Sequence, residues 1–237
     1  MSEWKAKRFW KETTVAEAEG GWQVLLDGRP VRTPLKAPMI LPTRDMAEAV
    51  ASEWDAQEGV IKPLSMPVTR SANAAIDKVS VQHAEVAAML AAYAETDLLC
   101  HRAEAPKELA DQQNKGWNPV LDWAEKTYDA PLLVVTGILP ADQPAESLGI
   151  YARTVAGFRP FSLTALHDLI SLSGSLVLGL HVANGKMDPD DAWKLSRIDE
   201  EWQISQWGED DEATEAAEIK RAAFRHAARF LRLAQGT

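Results

Sequence analysis

Cysteine is almost absent from this sequence, since Cys100 is the only one among 237 residues. A disulfide framework, a Cys-x-x-Cys redox pair and a cysteine-rich zinc site are therefore excluded, and a reducing compartment is compatible with the chain. Long apolar runs are also missing. The most apolar window, residues 161–184, is interrupted by His, Asp, Ser, Gly and Asn. This window predicts a buried helix rather than a membrane span.

Motifs for catalysis and cofactor binding are missing as well. Gly174 and Gly179 have the first spacing of a phosphate loop, but Leu180 and His181 occupy the positions that require Lys and Ser or Thr. No GxGxxG follows a predicted strand, and neither HExxH nor GxSxG occurs. The five histidines are scattered, with no pair at i and i+4. We therefore expect no cofactor, no metal site and no catalytic residues.

Positive charge is in short supply. The chain has 25 Lys and Arg against 35 Asp and Glu, a formal net charge of −10. This balance disfavours general binding to nucleic acids or to anionic membranes. Residues 1–44 hold 8 Lys and Arg and 5 Asp and Glu, whereas the remaining residues hold 17 and 30. The asymmetry indicates two differently built parts, one of which faces a basic partner; solubility alone is the other explanation.

The N-terminal part has the pattern of strands and turns. Asp27-Gly28 lies between two runs that favour strands, residues 22–26 and 29–33. Asp-Gly at this place predicts a hairpin, because both central residues of a type I′ turn need positive φ. The period then changes at Thr43, which can cap a helix whose Met46, Val50 and Trp54 share a face and which stops at Gly59.

The rest of the chain is predicted to be mainly helical, apart from a short β-like run at residues 132–136. Helices are expected at residues 69–79, 81–94, 107–115, 118–128, 145–155, 162–183, 188–207 and 213–233, with Asn118 capping the fourth of them. The predicted fold class is α+β. A small β-rich N-terminal domain spans residues 1–65, with one helix near 43–58, and a larger all-helical C-terminal domain spans residues 66–237.

The stretch from Asp188 to Gly208 is the most distinctive. Asp188-Pro189 predicts a helix start and Gly208 predicts its end. One stripe of this helix is mainly apolar and consists of Leu195, Ile198, Trp202 and Ser205. Beside it lie Asp199, Glu200, Glu201, Gln206 and Trp207. Such a face is either a hydrogen-bonded core seam or a contact surface.

The acids and the tryptophans leave several interpretations open. Asp199, Glu200 and Glu201 could form a solvated surface run, a partner-binding rim or, in a cleft that separates their pKa values, an acid and base pair. Nine tryptophans are expected to lie mostly in the core, with a few at an interface. They are Trp4, Trp10, Trp22, Trp54, Trp117, Trp123, Trp193, Trp202 and Trp207.

An ordered set of segments covers essentially the whole chain and resembles one known family. The segments are residues 7–10 (KRFW), 21–34 (GWQVLLDGRPVRTP), 53–57 (EWDAQ), 96–102 (TDLLCHR), 117–119 (WNP), 123–125 (WAE) and 196–208 (SRIDEEWQISQWG). In this order and spacing they resemble the assembly chaperone of the F-type ATP synthase α subunit, which is known from mitochondria and related bacteria.

The resemblance implies a protein without catalytic activity that holds newly made α subunit until α assembles with β in the catalytic hexamer. It also implies a small β-rich N-terminal domain and a helical C-terminal domain. Mitochondrial members begin with a presequence. The N-terminal residues here do not have that pattern, so the expected location is the bacterial cytoplasm, or the mitochondrial matrix for a processed form.

The family's functional acid lies in an Arg-x-acid-x-Glu-aromatic-Gln segment, which matches residues 197–203. The resemblance assigns this role to Glu201, with Glu200 as the alternative register. Client binding is predicted to involve Arg197 as well, with Trp202 and Trp207 as aromatic anchors. The rival hypotheses are a small-molecule enzyme with an acidic pair in an interdomain cleft and a scaffold subunit that stays in a permanent complex.

Overall fold

The computed structural model describes residues 7–137, 139 and 141–236. The chain forms two compact units. Unit 1 consists of residues 1–82, 159–165 and 229–237, and unit 2 consists of residues 83–158 and 166–228. The predicted domain boundary between residues 65 and 66 stays a prediction. Trp4 and the rest of the first six residues lie outside the described ranges.

Unit 1 contains a three-stranded antiparallel sheet in the order β1 (Thr13–Ala18), β2 (Gly21–Leu26) and β3 (Arg29–Pro30). Leu26 pairs with Arg29, so the turn between β2 and β3 consists of Asp27 and Gly28 alone. Their φ angles are 47° and 77°, as a type I′ turn requires. The predicted hairpin is confirmed.

Helix α1 (Arg44–Asp55) begins as predicted, because the Thr43 hydroxyl accepts a hydrogen bond from the Met46 amide at 3.1 Å. Its predicted end at Gly59 is wrong. The Gln57 side-chain amide donates to the Glu53 carbonyl at 3.0 Å and so takes an acceptor that a longer helix would have used. The Glu53 carboxylate in turn accepts amide hydrogens at the start of α2 (Pro67–Ala74).

A π-helical segment, Ala75–Val79, continues α2. The later elements are α3 (His83–Ala91), β4 (His101–Arg102), α4 (Lys107–Tyr128), β5 (Val135–Thr136), α5 (Ala145–Ala156), α6 (Pro160–Ser173), α7 (Leu176–Ala183), α8 (Pro189–Ser196), α9 (Ile198–Trp207) and α10 (Asp211–Gln235). Strands β4 and β5 pair in parallel. The small N-terminal sheet and the helical remainder confirm the α+β class.

One predicted helix forms two separate helices in the structure. The expected single helix over residues 162–183 is wrong, since α6 ends at Gly174, whose amide donates to the Ile170 carbonyl at 2.8 Å. Ser175 then caps α7 by accepting from the Leu178 amide at 3.0 Å. The phosphate-loop spacing of Gly174 and Gly179 thus spans a helix junction and the following helix.

Helix α4 contradicts the predicted start at Asn118. It runs without interruption through Pro119, which is exposed. Asn118 does not cap a helix; its side-chain oxygen accepts a hydrogen bond from Arg102 at 2.8 Å. Trp117 and Val120, on either side of these two residues, are buried. Packing of this apolar face keeps the helix continuous despite the amide that Pro119 lacks.

Helix α7 is the centre of unit 2, because all eight of its residues are buried. The carboxylate of Asp97 is fully buried beside its first turn and accepts the amide hydrogens of Leu99 and Val177, each at 3.0 Å. Burial raises the pKa of Asp97, although these hydrogen bonds oppose the rise. No helix in the described parts of the chain has the length and hydropathy of a membrane span.

Candidate functional site

The distinctive stretch folds as two helices, so the predicted single helix over residues 188–207 is wrong. Helix α8 begins as predicted, with the Asp188 carboxylate accepting from the Asp190 amide at 2.9 Å. The helical path breaks at Arg197, where φ is −112° and ψ is 12°. Helix α9 then runs to Gly208, which has φ 87° and ends the helix as predicted.

The break at Arg197 is positioned by helix α4. A Cβ atom at Gly116 would lie 2.9 Å from a methyl carbon of Leu195 and 3.0 Å from a methyl carbon of Ile198, so α4 approaches the junction closely. The indole N–H of Trp117 donates to the Leu195 carbonyl at 2.8 Å. This contact satisfies an acceptor at the end of α8 that a continuous helix would bond internally.

The three consecutive acids occupy the first turn of α9. Acids at this place are stabilised by the partial positive charge of the helix start. Asp199 accepts from the Gln113 side-chain amide at 2.6 Å, and Glu200 pairs with Arg197 at 2.8 Å. Glu201 is exposed. Asp199 and Glu200 therefore contact neighbouring side chains, although the Glu200 side chain is still 44% exposed.

One side of α9 forms a wall of a groove of about 740 Å³, which we call the tryptophan groove. Most of its surface is apolar. Its lining consists of residues 101–106 together with Leu109, Gln113, Gly137, Asp199, Trp202, Gln203 and Trp207. The side chain of Trp207 is 80% exposed, an unusual state for the largest apolar side chain. The groove therefore offers apolar surface to a partner.

Arg102 lies in the lining of this groove and is only 5% exposed. Its guanidinium donates to Leu99, to Asn114 at 3.0 Å and to Asn118 at 2.8 Å, and it stacks over the Trp117 ring at 4.9 Å. Burial lowers the pKa of Arg102, but an arginine stays charged in a protein. These bonds fix one wall of the groove.

Gln113 connects two walls of the tryptophan groove. The side chain is 2% exposed. Its oxygen accepts from the Ala103 amide at 2.7 Å, and its nitrogen donates to Asp199. The segment after β4 and the first turn of α9 are therefore tied to α4 through one side chain.

The opposite side of α9 faces a second, smaller groove of about 370 Å³ between α9 and the first turns of α10. Arg197, Glu201 and Ile204 lie in its lining. Near it, Asp190 binds Arg225 through two hydrogen bonds of 2.6 and 2.7 Å, and this contact lowers the pKa of Asp190.

The structure thus separates the predicted client-binding residues. Trp202 and Trp207 line the tryptophan groove, whereas Arg197 and Glu201 line the groove on the other side of α9. Their role in client binding stays a prediction. The sequence analysis missed the contribution of residues 101–113 to the tryptophan groove. The segment at residues 96–102, quoted for the family resemblance, was the available signal.

The described tryptophans fall into three groups by exposure. Trp10, Trp117 and Trp193 are buried, Trp207 is exposed, and the others are intermediate. Most therefore contribute to packing, as expected from the area that each can bury. Trp207 is the exception that indicates a contact surface.

The described residues contain no group of three or more His, Cys, Asp or Glu side chains that could hold a metal ion. Burial raises the pKa of the Cys100 thiol to about 12, so its thiolate is scarce at neutral pH. The tryptophan groove is mainly apolar, and Glu104 and Asp199 are the acids in its lining.

This chain is similar to known proteins along most of its length. Residues 7–125 match the family model described as ATP12 chaperone protein. The chain belongs to the ATP12 chaperone family. The mitochondrial protein atp12 of Schizosaccharomyces pombe is 23% identical over 223 residues, which cover 88% of this chain and 76% of the yeast protein.

Solved structures show the same fold over nearly the full length. Atp12 from Paracoccus denitrificans is 50% identical and superposes with a TM-score of 0.95, covering 98% of this chain and 100% of that one. A point mutant of the same protein gives 0.96. A protein from Agrobacterium tumefaciens is 41% identical, with a TM-score of 0.89 over 97% of this chain and 86% of that chain.

Membership of the ATP12 family confirms the resemblance found in the sequence. The protein is an ATP synthase assembly factor of the chaperone class.

Proposed function

We propose that this protein binds the unassembled α subunit of F-type ATP synthase and covers the surface through which α later contacts β. The protein acts by binding the α subunit and not by catalysis. The observation that supports it most is the exposed Trp207 beside the tryptophan groove, within a chain of the ATP12 family.

The physical problem that such a chaperone solves is exposed apolar surface. A subunit made before its partner presents the apolar interface meant for that partner, and such patches aggregate. Tryptophan is enriched among the residues that dominate protein interfaces, because one side chain buries a large area. Trp202 and Trp207 are suited to this contact, and a contact that continues around α9 would also include Glu200 and Glu201.

Release of the α subunit is proposed to be competitive. The permanent α–β interface buries more surface than one groove can cover, so β displaces the chaperone without a nucleotide. The motif that came nearest to a phosphate loop, at Gly174 and Gly179, spans a helix junction. We place the protein in the bacterial cytoplasm, or in the mitochondrial matrix for a mitochondrial form.

The enzyme hypothesis receives less support from the positions of the acids. An acid and base pair must face the same substrate. Asp199 lies in the tryptophan groove, where Gln113 binds it, whereas Glu201 lies in the groove on the opposite side of α9. These two carboxylates therefore do not converge on one pocket.

Co-purification tests the proposal. The tagged chain is expressed with the α subunit alone, with β alone, and with both. We expect α to be retained when expressed alone, β not to be retained, and α to be lost when β is also present. Failure to retain α, or stoichiometric recovery of the chain in finished ATP synthase, would contradict a transient α chaperone.

A charge reversal tests the residue assignment separately. Glu201→Lys is expected to weaken α capture by about tenfold or more while leaving the unfolding midpoint unchanged, because Glu201 is exposed. Glu19→Lys, an exposed acid of the turn between β1 and β2, is the matched control. Normal capture by the Glu201 variant would show that this side of α9 is not the client surface.

A further inference from the structure

Acidic charge is concentrated in unit 2, the unit that contains both grooves. By sequence, unit 1 holds 14 Lys and Arg against 11 Asp and Glu, a net charge of +3. Unit 2 holds 11 against 24, a net charge of −13. A surface of one sign raises the local concentration of partners of the opposite sign.

Within unit 2 the acids are densest along α9 and the start of α10, where Glu209 and Glu218 line the second groove. The continuous stretch of residues 198–219, which includes all of α9 and the start of α10, contains 9 Asp and Glu and no Lys or Arg. All residues from 207 to 216 are exposed. Trp207, at the end of the groove, directly precedes this exposed acidic segment.

The charged groups that are exposed at the surface of the tryptophan groove are negative. Glu104 is exposed in the lining, and among the described ion pairs none joins it to a Lys or Arg. Arg102 is the cation in the lining, but it is buried and its donors are engaged by Leu99, Asn114 and Asn118. A partner entering the groove therefore meets apolar rings and carboxylates.

We propose that the tryptophan groove binds a client segment in which an apolar side chain is flanked by lysines or arginines. The apolar side chain contacts Trp202 and Trp207, and the flanking cations face Glu104 and the acidic segment that follows Trp207. This inference rests on the proposed function and specifies the chemistry of the client segment. An acidic or uncharged apolar segment is the alternative that the experiment distinguishes.

The two parts of the interaction have different physical effects. Contact of apolar side chains with the tryptophans determines how long the segment stays bound, because burial must be undone on dissociation. The surrounding charges increase the association rate and reject segments of the wrong sign. Salt should therefore slow association more than it accelerates dissociation.

Peptide binding to the full chain provides the test. Two fluorescein-labelled peptides of about twelve residues carry the same Leu and Phe anchors, one flanked by Lys and Arg and the other by Glu and Gln. Fluorescence anisotropy measures their affinity at low ionic strength and in about 0.5 M NaCl. We expect the basic peptide to bind at least about tenfold more tightly at low salt, with the difference reduced at high salt. Equal binding of both peptides would overturn the proposal.

Variants locate the peptide on the chain. Trp207→Ala is expected to weaken the basic peptide by about tenfold, whereas Leu64→Ala, which removes a side chain that is 83% exposed in unit 1, leaves it unchanged. Glu104→Lys is expected to weaken it, and Glu19→Lys to have no effect. Equal effects of the groove variants and their controls would place any binding elsewhere and overturn the proposal.

Capture of the α subunit distinguishes failure of the groove assignment from failure of the proposed function. If α is retained but the peptide preference and the Trp207 effect are absent, the function stands and the groove assignment is wrong. If α is not retained and the basic peptide still binds at Trp207, the groove chemistry stands and the proposed client is wrong.

Discussion

At the scale of single residues, the most constrained side chains of unit 2 are buried polar ones. Asp97 is fully buried and accepts two amide hydrogens, one of them from the first turn of α7. An amide buried without an acceptor costs about 1–3 kcal/mol. The carboxylate is therefore retained at this place although its own burial is unfavourable.

We expect Asp97→Ala to lower the free energy of unfolding by about 3 kcal/mol, because two buried amides lose their acceptors. Urea titration followed by circular dichroism measures the change. Asp122→Ala, an exposed position on α4, is the control and should change stability by less than about 0.5 kcal/mol. A similar small effect at Asp97 would show that these amides find other partners.

His181 predicts a pH dependence of stability. Its ring stacks on Trp123 at 4.1 Å, and burial, with a smaller effect of Lys186, lowers its pKa below the ordinary value of 6.5. The unfolded chain therefore takes up the proton at higher pH than the folded chain. The contribution of His181 to the free energy of unfolding is complete above pH 6.5 and is lost as the pH falls through the lowered folded-state pKa.

His181→Phe keeps a stacked ring and removes the titration. We expect the wild type to lose stability relative to this variant when the pH falls from about 7.5 to about 5, as measured by chemical unfolding at each pH. All other groups are the same in both proteins, so their contributions cancel in the difference. Parallel pH profiles would contradict the assignment.

At the scale of elements, α4 determines the shape of the site. Gly116 allows close approach to the α8–α9 junction, Trp117 satisfies a carbonyl there, and Gln113 binds Asp199. Gln113 lies one turn before Gly116 and Trp117, so the three residues share one side of the helix. A single rigid helix thus positions both the break at Arg197 and the groove wall.

Adjacent residues of α4 should respond oppositely to alanine. Pro119→Ala is expected to raise the free energy of unfolding by about 1–2 kcal/mol, since Pro119 is exposed and the new amide can complete the helix. Asn118→Ala is expected to lower it by about 1–3 kcal/mol, because buried Arg102 loses an acceptor. Thermal and urea unfolding measure both. Changes of the same sign would contradict this account of α4.

At the scale of the whole molecule, the uneven distribution of charge between the two units should make the association rate depend on salt concentration. If the client approaches unit 2, the association rate with the α subunit should fall by about tenfold between about 0.05 and 0.5 M NaCl, with a smaller change in dissociation. Stopped-flow fluorescence measures both rates. The unfolding midpoint of the free chain over the same salt range is the control, and a salt-independent association rate would exclude steering by unit 2.

Local signals predicted part of the fold correctly. Asp27-Gly28, Thr43 and Asp188 act through backbone geometry and hydrogen bonds within a few residues, so their turn and caps were visible in the sequence. The junction at Arg197 and the continuity of α4 through Pro119 were not. Both depend on packing between residues that are far apart in the chain.

The candidate site likewise combines features that the sequence predicted with features that depend on packing between distant residues. Trp202 and Trp207 were recognisable as candidate contact residues, but residues 101–113 were not recognisable as the facing wall. Helical periodicity by itself separates Glu201 from Trp202 and Trp207 on α9. What the sequence could not show is which distant residues form the two grooves that these side chains line.

The sequence by itself determined the α+β class, the family, the hairpin and the caps at Thr43 and Asp188, because these follow from local conformational preference and from an ordered set of motifs. The tertiary structure alone decided where helices break, which acids are bound internally and which tryptophan is exposed. The physical reason is that close packing against α4 and α7 brings together residues that are distant in sequence. This packing decides which polar groups find hydrogen-bond partners and which apolar groups stay exposed.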